Sequence, residues 1–337
     1  METLVFSDLI IDKTKDGTKL PTNDYQKIGS TAIIDQGQEF IAGYTDRSEG
    51  IFTDVPVIIF GDHTRVFKYI DFPFFLGADG VKILKANREV NYRYLYYYFL
   101  QAKFPNTGYA RHFKWLKELQ IPLPPLAEQK HITAILDKTQ KIIAEHKQML
   151  QKYDTLIKSR FIEMFGDNNF QKKKLNEIFI TKTGKLDSNA MVEDGEYPFF
   201  TCAKEVFKID KYAFDQEALL LAGNNAAGKY DVKHYKGKFN AYQRTYVLSL
   251  KEEWEYPLFK YQLEDKLEYL RQQSLGGLTK YLTLKILETL DFIVPPIELQ
   301  KEFSTFVQQI DKSKSAVQKS LEKTETLYKS LMQQYFG

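Results

Sequence analysis

Cysteine is almost absent. Cys202 is the one cysteine in 337 residues, so no internal disulfide can form, and the expected compartment is a reducing cytoplasm. Long apolar runs are missing as well. The longest, such as Val55–Phe60, fall far short of the roughly 20 residues that a membrane-spanning helix needs. Met1–Leu20 is mixed and charged, unlike a secretory leader, and no membrane contact is expected. There is little excess of one charge: 47 Lys and Arg against 44 Asp and Glu leave +3. That is weaker than the footprint of a dedicated nucleic-acid domain, so an anionic partner must be held by local patches. Hydrophobic residues at 43% and aromatics at 15% are enough to build true cores in a chain long enough for two or three domains.

Catalytic signatures are lacking too. His63, His112, His131, His146 and His234 have no metal-ligand spacing, and Cys202 has no partner cysteine. There is no G-x-S-x-G elbow, no G-x-G-x-x-G stretch, and no Asn-Pro-Pro-aromatic motif for methylating a base amino group. Two partial matches fail on inspection. Gly223-Asn224-Asn225-Ala226-Ala227-Gly228-Lys229 fits a phosphate-cradling loop, but Tyr230 stands where Ser or Thr should hold magnesium, and no helix-opening sequence follows. Asp215 with Asp231-Val232-Lys233 has a nuclease-like look but no second carboxylate to clamp a metal. The chain is expected to have no catalytic residue, no metal and no cofactor of its own.

What it does have is a repeat. Pro122-Leu123-Pro124-Pro125-Leu126-Ala127-Glu128-Gln129-Lys130 returns 171 positions later as Ile293-Val294-Pro295-Pro296-Ile297-Glu298-Leu299-Gln300-Lys301. The same offset carries Phe165-Gly166 onto Phe336-Gly337 without a gap. Proline is tolerated at a helix start and not inside one, and Leu126–Glu163 contains no Pro or Gly. Ile132, Leu136, Thr139, Ile143, His146, Leu150, Tyr153 and Ile157 recur in steps of three and four, widened by Ile135, Ile142, Met149 and Leu156. That spacing predicts a coiled-coil-like helix of roughly 57 Å, with Gly166 as its stop. The second copy reads Phe303, Val307, Ile310, Val317, Leu321, Thr324, Tyr328 and Leu331. The stripes suit two helices packed on each other, and the alternative is that each packs only on its own globular domain. The expected packing residues are Ile132, Leu136, Ile143, Leu150 and Ile157, with Phe303, Val307, Ile310, Val317, Leu321 and Leu331.

The globular stretches repeat more loosely. Thr31–Ile34, Val55–Phe60 and Lys82–Leu84 read as strands, and Asn91–Lys103 as a helix. Leu175 answers Leu4 in this reading, and Ala218–Ala222 answers Val57–Gly61. Each globular stretch holds a basic, aromatic segment. Asn91–Lys117 has no acidic residue and carries Arg93, Lys103, Arg111, Lys114 and Lys117 among Tyr92, Tyr94, Tyr109, Phe113 and Trp115. Gly228–Arg244 sets Lys229, Lys233, His234, Lys236, Lys238, Gln243 and Arg244 against Asp231 alone. A charge run is usually a solvated face. Here the cations could grip phosphate while Arg and Gln read base edges.

Together these marks resemble the DNA-specificity subunit of type I restriction–modification systems. They are the sequence from Ile121 to Gln129 with its long helix, the degenerate second copy, the terminal Phe336-Gly337, and the loop Leu275-Gly276-Gly277-Leu278-Thr279-Lys280. Two departures stand out. Glu298-Leu299-Gln300 replaces Ala127-Glu128-Gln129, and Asn106-Thr107-Gly108-Tyr109 stands in place of the Gly-Gly-Leu-Thr loop. The resemblance implies an α+β protein. Two globular α/β target-recognition domains would be separated by two long helices forming an antiparallel coiled coil, with an internal pseudo-two-fold repeat. The expected boundaries are 1–121 and 167–292 for the domains, and 122–166 and 293–337 for the helical spacers.

The resemblance also implies a role. Each domain grips one half of a bipartite site in double-stranded DNA, and the coiled coil docks two modification (methyltransferase) subunits. Those partners bring S-adenosylmethionine, and two restriction (translocase/nuclease) subunits, where a system has them, add ATP and Mg. The chain itself is then a non-catalytic specificity subunit. The DNA-contacting residues expected are Arg65, Arg93, Lys103, Arg111 and Lys114 in the first half. In the second they are Lys229, Lys233, Lys236, Lys238, Gln243, Arg244, Thr279 and Lys280. The competing readings are a coiled-coil adaptor that joins two proteins without DNA, and a self-contained nuclease or methyltransferase.

Overall fold

The computed structural model describes residues 2–77, 80–105, 110–166, 169–225, 228–277 and 279–337. The chain divides into two units, residues 1–147 with 319–337 and residues 148–318. The first runs β1 (Glu2–Val5), α1 (Phe6–Leu9), β2 (Ile10–Asp12), β3 (Thr31–Ile34), β4 (Gly43–Thr45), β5 (Val57–Gly61), β6 (Phe67–Ile70), β7 (Phe74–Leu76), β8 (Val81–Ala86), α2 (Tyr92–Leu100), α3 (Phe113–Leu116) and β9 (Gln120–Leu123), then enters α4 (Leu126–Phe165). The second runs β10 (Lys172–Lys174), α5 (Leu175–Ile178), β11 (Phe179–Thr183), β12 (Tyr197–Phe200), β13 (Phe207–Ile209), β14 (Phe214–Ala222), β15 (Asn224–Asn225), β16 (Val232–Ala241), β17 (Thr245–Leu250), α6 (Tyr256–Asp265), α7 (Leu267–Gln273), β18 (Lys280–Tyr281), α8 (Leu284–Leu287) and β19 (Asp291–Ile293), then enters α9 (Ile297–Phe336).

The units share one topology. Strand order β2-β8-β5-β6 in the first matches β11-β17-β14-β16 in the second. The registers agree residue by residue: Ile58 lies between Leu84 and Tyr69, and Leu219 lies between Leu248 and His234. Both faces of the central strand are covered. Ile58 and Phe60 join a core with Phe6, Tyr94, Leu95 and the helices, while Val57 and Ile59 join Ile70, Phe74 and Leu76. Leu219 and Leu221 part from Ala218 and Leu220 in the same way. That two-sided burial explains why these strands are continuous apolar runs rather than alternating ones. The units differ at one edge. Pro73 has no N–H to donate and separates β6 from β7, whereas β16 runs through the same path, turning at Gly237 with φ 133°. The second unit therefore has a continuous six-stranded sheet.

One sequence equivalence needs correction. Leu4 faces Ile121, and Lys173 faces Phe292, so Lys173 is the counterpart of Leu4. Leu175 takes the place of Phe6, both fully buried at the start of a short helix. The second globular stretch is slightly longer between these points, so the offset read from the rods does not extend to the domain starts.

α4 and α9 are uninterrupted helices of 40 residues each, as a Gly- and Pro-free sequence permits. Within the first unit, Ile132 and Leu136 share a core with Tyr328, Leu331 and Met332. There Gln140 Nε2 donates to Tyr328 Oη at 2.9 Å, and Lys147 pairs with Glu325 at 2.9 Å. Within the second unit, Ile157 and Phe165 meet Phe303 and Val307, with Lys314 on Asp154 and Arg160 on Glu302, each at 2.5 Å. In each unit one helix number rises as the other falls, so the helix segments pair antiparallel. The two packing alternatives hold together: the same residues face the opposite helix and their own globular core. Leu321 is buried, and Ile143, Leu150, Ile310, Val317 and Leu331 are half-buried. Ile135 and Ile142 are half-buried as well, but Met149 and Leu156 do not widen the stripe: they are 42% and 45% exposed.

The Pro-Pro signature has a mechanical reason. Gln129, 2% exposed, donates from Nε2 to Pro124 O at 2.8 Å and accepts at Oε1 from Asn91 N at 2.9 Å. Gln300, 1% exposed, repeats both bonds with Pro295 O (2.8 Å) and Glu255 N (3.1 Å). The departure at Glu298-Leu299 leaves this glutamine in place. Each glutamine thus ties the start of a rod to the start of the helix that follows its domain's sheet. Gln129→Leu is expected to destabilise the first unit by about 1–3 kcal/mol, because two backbone groups lose partners. Urea unfolding of the variant and the parent measures it.

Candidate nucleic-acid interface

Asp62 gathers three loops at one end of the first unit. Its N donates to Gly80 O (2.7 Å), and its carbonyl accepts from His112 N (2.9 Å). Its Oδ1 accepts from Phe113 N (2.7 Å). The loops so joined expose Arg65, Arg111 and Lys114. Lys103 is also exposed, next to Phe104, whose ring stacks on Phe60 and meets His112 edge-on. Lys114 lies 4.8 Å from the Trp115 ring. Among the described residues no ion pair engages these four cations, which therefore present their charge to solvent.

Arg93 differs. Its Nε sits 2.8 Å from Asp137 Oδ2, and its guanidinium lies 5.0 Å from the Tyr69 ring. Asp137 also accepts from Tyr97 Oη at 2.5 Å. Arg93 is an internal anchor between α2 and α4, not the free cation that its position in a basic run suggested.

The second unit builds the same end with other residues. Gly223 takes the place of Asp62: its N donates to Arg244 O (2.8 Å), and its carbonyl accepts from Leu282 N (2.8 Å). A Cβ at Gly223 would lie 2.3 Å from Arg244 O, so only glycine allows this approach. β15 pairs with β18, setting Asn225 opposite Lys280. Gly228, at φ 64°, sits against the side chains of Arg271 and Lys280. Lys229, Gln243, Arg244 and Thr279 are exposed around this junction. Arg271, paired with Glu268 at 3.2 Å, lies beside them although it is outside the basic stretch.

Lys233 is likewise engaged within its own unit rather than free. Its ammonium donates to Ala203 O (2.9 Å) and Asp231 Oδ2 (2.6 Å) and is only 16% exposed. Lys236 and Lys238 lie further along β16, opposite Glu217 and Asp215. Lys236 pairs with Glu217 at 3.1 Å, and Lys238 lies over Tyr212 at 4.8 Å. Burial pushes the Glu217 carboxyl up, but hydrogen bonds from Lys236 and His234 outweigh it and hold the group below the usual carboxylate range.

The partial motifs do not assemble. Among the described residues the element that follows Lys229 is strand β16, not the helix that a phosphate-cradling loop opens into. Asp215 stands opposite Lys238, away from the Asp231–Lys233 pair. Among the described residues no cluster of His, Cys, Asp and Glu could hold a metal ion, and no helix is long and apolar enough to cross a membrane. The segment Asn106–Tyr109, with its Tyr109, and Ala226, Ala227 and Leu278 lie outside the described residues.

The family model for the type I restriction modification DNA specificity domain matches twice, over residues 10–152 and 167–325. The chain belongs to that family. Its two matches fall on the two halves of the repeat. Among curated relatives, the type I restriction enzyme EcoDI specificity subunit of Escherichia coli is 37% identical over 152 residues, covering 43% of this chain and 33% of the relative. The EcoR124I/EcoR124II specificity subunit of the same organism is 29% identical over 215 residues, covering 57% of this chain and 52% of the relative. The chain thus spans about a third and about half of the length of these two specificity subunits. Among solved structures, the type I restriction–modification S subunit from M. genitalium superposes with a TM-score of 0.73 at 17% identity, covering 100% of this chain and 96% of that one. The likeness shows a shared fold along the length of this chain.

Proposed function

We propose that this chain is the DNA-reading subunit of a methylating complex, with each unit gripping one half of a split site in double-stranded DNA. The observation that carries this reading is the duplicated loop end. The same three-loop junction exposes Arg65, Arg111 and Lys114 in one unit, with Lys103 exposed beside it, and Lys229, Gln243, Arg244 and Thr279 in the other, with Lys280 half-buried among them. Exposed cations supply salt-dependent grip on phosphate, and their different identities suit two different half-sites. Family membership supports the DNA-specificity role. The chemistry then belongs to partners in the cytoplasm: two modification subunits carrying S-adenosylmethionine flip and methylate the target base, and restriction subunits add ATP- and Mg-dependent steps. This chain has no turnover of its own.

Docking of two copies of one partner is supported by Leu156 and Leu327. They are 45% and 52% exposed and stand 171 positions apart, at equivalent places on the two rods. The adaptor reading without DNA gives no account of the duplicated basic loop ends.

Single-molecule sequencing of adenine methylation tests the proposal in cells expressing this chain with its methyltransferase, against cells expressing the methyltransferase alone. A split motif seen only with this chain is expected, and unchanged methylation from a soluble complex would overturn the proposal. In purified complex, Arg111→Ala and Arg244→Ala are each expected to weaken binding through one half-site, by roughly 5- to 150-fold for a base contact. Equal losses at both half-sites from either variant would sink the two-reader arrangement.

A further inference from the structure

Lys68 and Lys233 occupy the same ladder position in the two units. Lys68 opposes Ile59 and Lys233 opposes Leu220, and those two strand residues correspond through their other neighbours, Ile83 and Val247. The Lys68 side chain is 3% exposed. Its ammonium donates to Asp35 O (2.9 Å) and Glu39 O (2.6 Å) and lies 3.5 Å from Asp35 Oδ1. Lys233 reaches Ala203 O at 2.9 Å. The segments they hold are also equivalent. Asp35–Phe40 follows β3, and Thr201–Val206 follows β12. A buried ammonium is unfavourable unless its donors are used, and burial holds Lys68 below the usual lysine range. Charge-assisted bonds to loop carbonyls compensate and fix the loop backbone.

The pinned loops stand beside the basic ends. Gln36 O accepts from Thr64 Oγ1 (2.6 Å) and Gln36 Oε1 from His63 N (3.3 Å), in the turn that carries Arg65. In the second unit Cys202 Sγ donates to Arg244 O at 3.4 Å. The loop tips are exposed at matching places: Gln38-Glu39-Phe40 and Lys204-Glu205-Val206. The pin is lysine in both units, while the tips differ. Each tip carries a glutamate, which repels phosphate but can accept from a base amino group, so the tips suit base edges better than the DNA backbone.

We propose that Lys68 and Lys233 are positioning residues that hold Asp35–Phe40 and Thr201–Val206 as base-reading loops, with Gln38 and Lys204 as specificity-determining side chains of the two half-sites. This rests on the DNA-reading function proposed above. The Gln38 amide offers one donor face and one acceptor, the pattern that adenine's major-groove edge complements. The Lys204 ammonium offers donors only, the pattern that guanine's N7 and O6 complement.

Methylation sequencing of the intact complex in cells tests this. Gln38→Ala is expected to relax one base position in one half-site, and Lys204→Ala one position in the other. Discrimination at each relaxed position should fall roughly 5- to 150-fold. Lys233→Met is expected to blur the half-site of the second unit while the other half-site and the spacer stay sharp, with Lys233→Arg restoring the motif. Gln38→Ala and Lys204→Ala lie on exposed tips and do not threaten folding. An unchanged motif from both would overturn the inference. So would Lys233→Met if it lowered total methylation with every motif position intact, the mark of a purely structural lysine. Failure of the parent chain to give any motif would instead overturn the DNA-reading function itself.

Discussion

Leu156→Glu is expected to strip one methyltransferase subunit from the complex, and Leu327→Glu the other. Both leucines are about half exposed on helices whose remaining large apolar side chains mostly pack inward. Met149 lies one heptad before Leu156 and is exposed as well, which extends an apolar strip along that face of α4. An exposed leucine repeated at the rod offset fits a contact made twice with one kind of partner. A carboxylate at the centre of such a contact has no matching charge. It should cost about 3 kcal/mol, roughly 150-fold in Kd. Native mass spectrometry of the assembled complex then reads two partners for the parent, one for each single variant and none for the double variant. Two partners retained by the double variant would remove these leucines from the interface.

The second large effect concerns spacing. Seven residues inserted after His146 and seven after Val317 preserve the heptad stripe of both rods and add about 10 Å to each at 1.5 Å per residue. If the rods set the separation of the half-sites, the methylated motif should gain a spacer longer by about three base pairs, at roughly 3.4 Å each. Insertion into one helix alone is the control and should abolish methylation by putting the two stripes out of step. A double-insertion chain that methylates the parental motif with its original spacer would refute the ruler.

The rods were legible in the sequence because their determinants are local. A run without Gly or Pro and an apolar period of three and four specify a long helix wherever it lies. The central strands were legible for a similar reason, since Val57–Phe60 and Ala218–Ala222 are buried on both faces and read as continuous apolar runs. Pairing Leu175 with Leu4 failed because the globular stretches differ in length between their first strand and their rod, so a fixed offset drifts there. Arg93 and Lys233 count among the expected DNA-contacting cations in the sequence because composition counts charge but does not see Asp137 or the Ala203 carbonyl that engages it. Lys68 escaped notice for the complementary reason: one lysine between Phe67 and Tyr69 gives no sign in sequence that a loop folds over it. Met149 and Leu156 show the limit of periodicity. A stripe widened by neighbours cannot tell a packed edge from a surface left for something else.

The glutamine clamps have an evolutionary consequence. The side-chain hydrogen bonds of Gln129 and Gln300 go to backbone atoms, the amides of Asn91 and Glu255 and the carbonyls of Pro124 and Pro295. A bond to the main chain places no demand on side-chain identity at the far side, and Asn91 and Glu255 already differ. Mutation can therefore rewrite a domain's exposed surface without loosening these clamps, whereas the side chains that meet the rod directly, such as Arg93 and Tyr97 on Asp137, stay constrained. Inheritance of the scaffold is in this way uncoupled from inheritance of the message it carries.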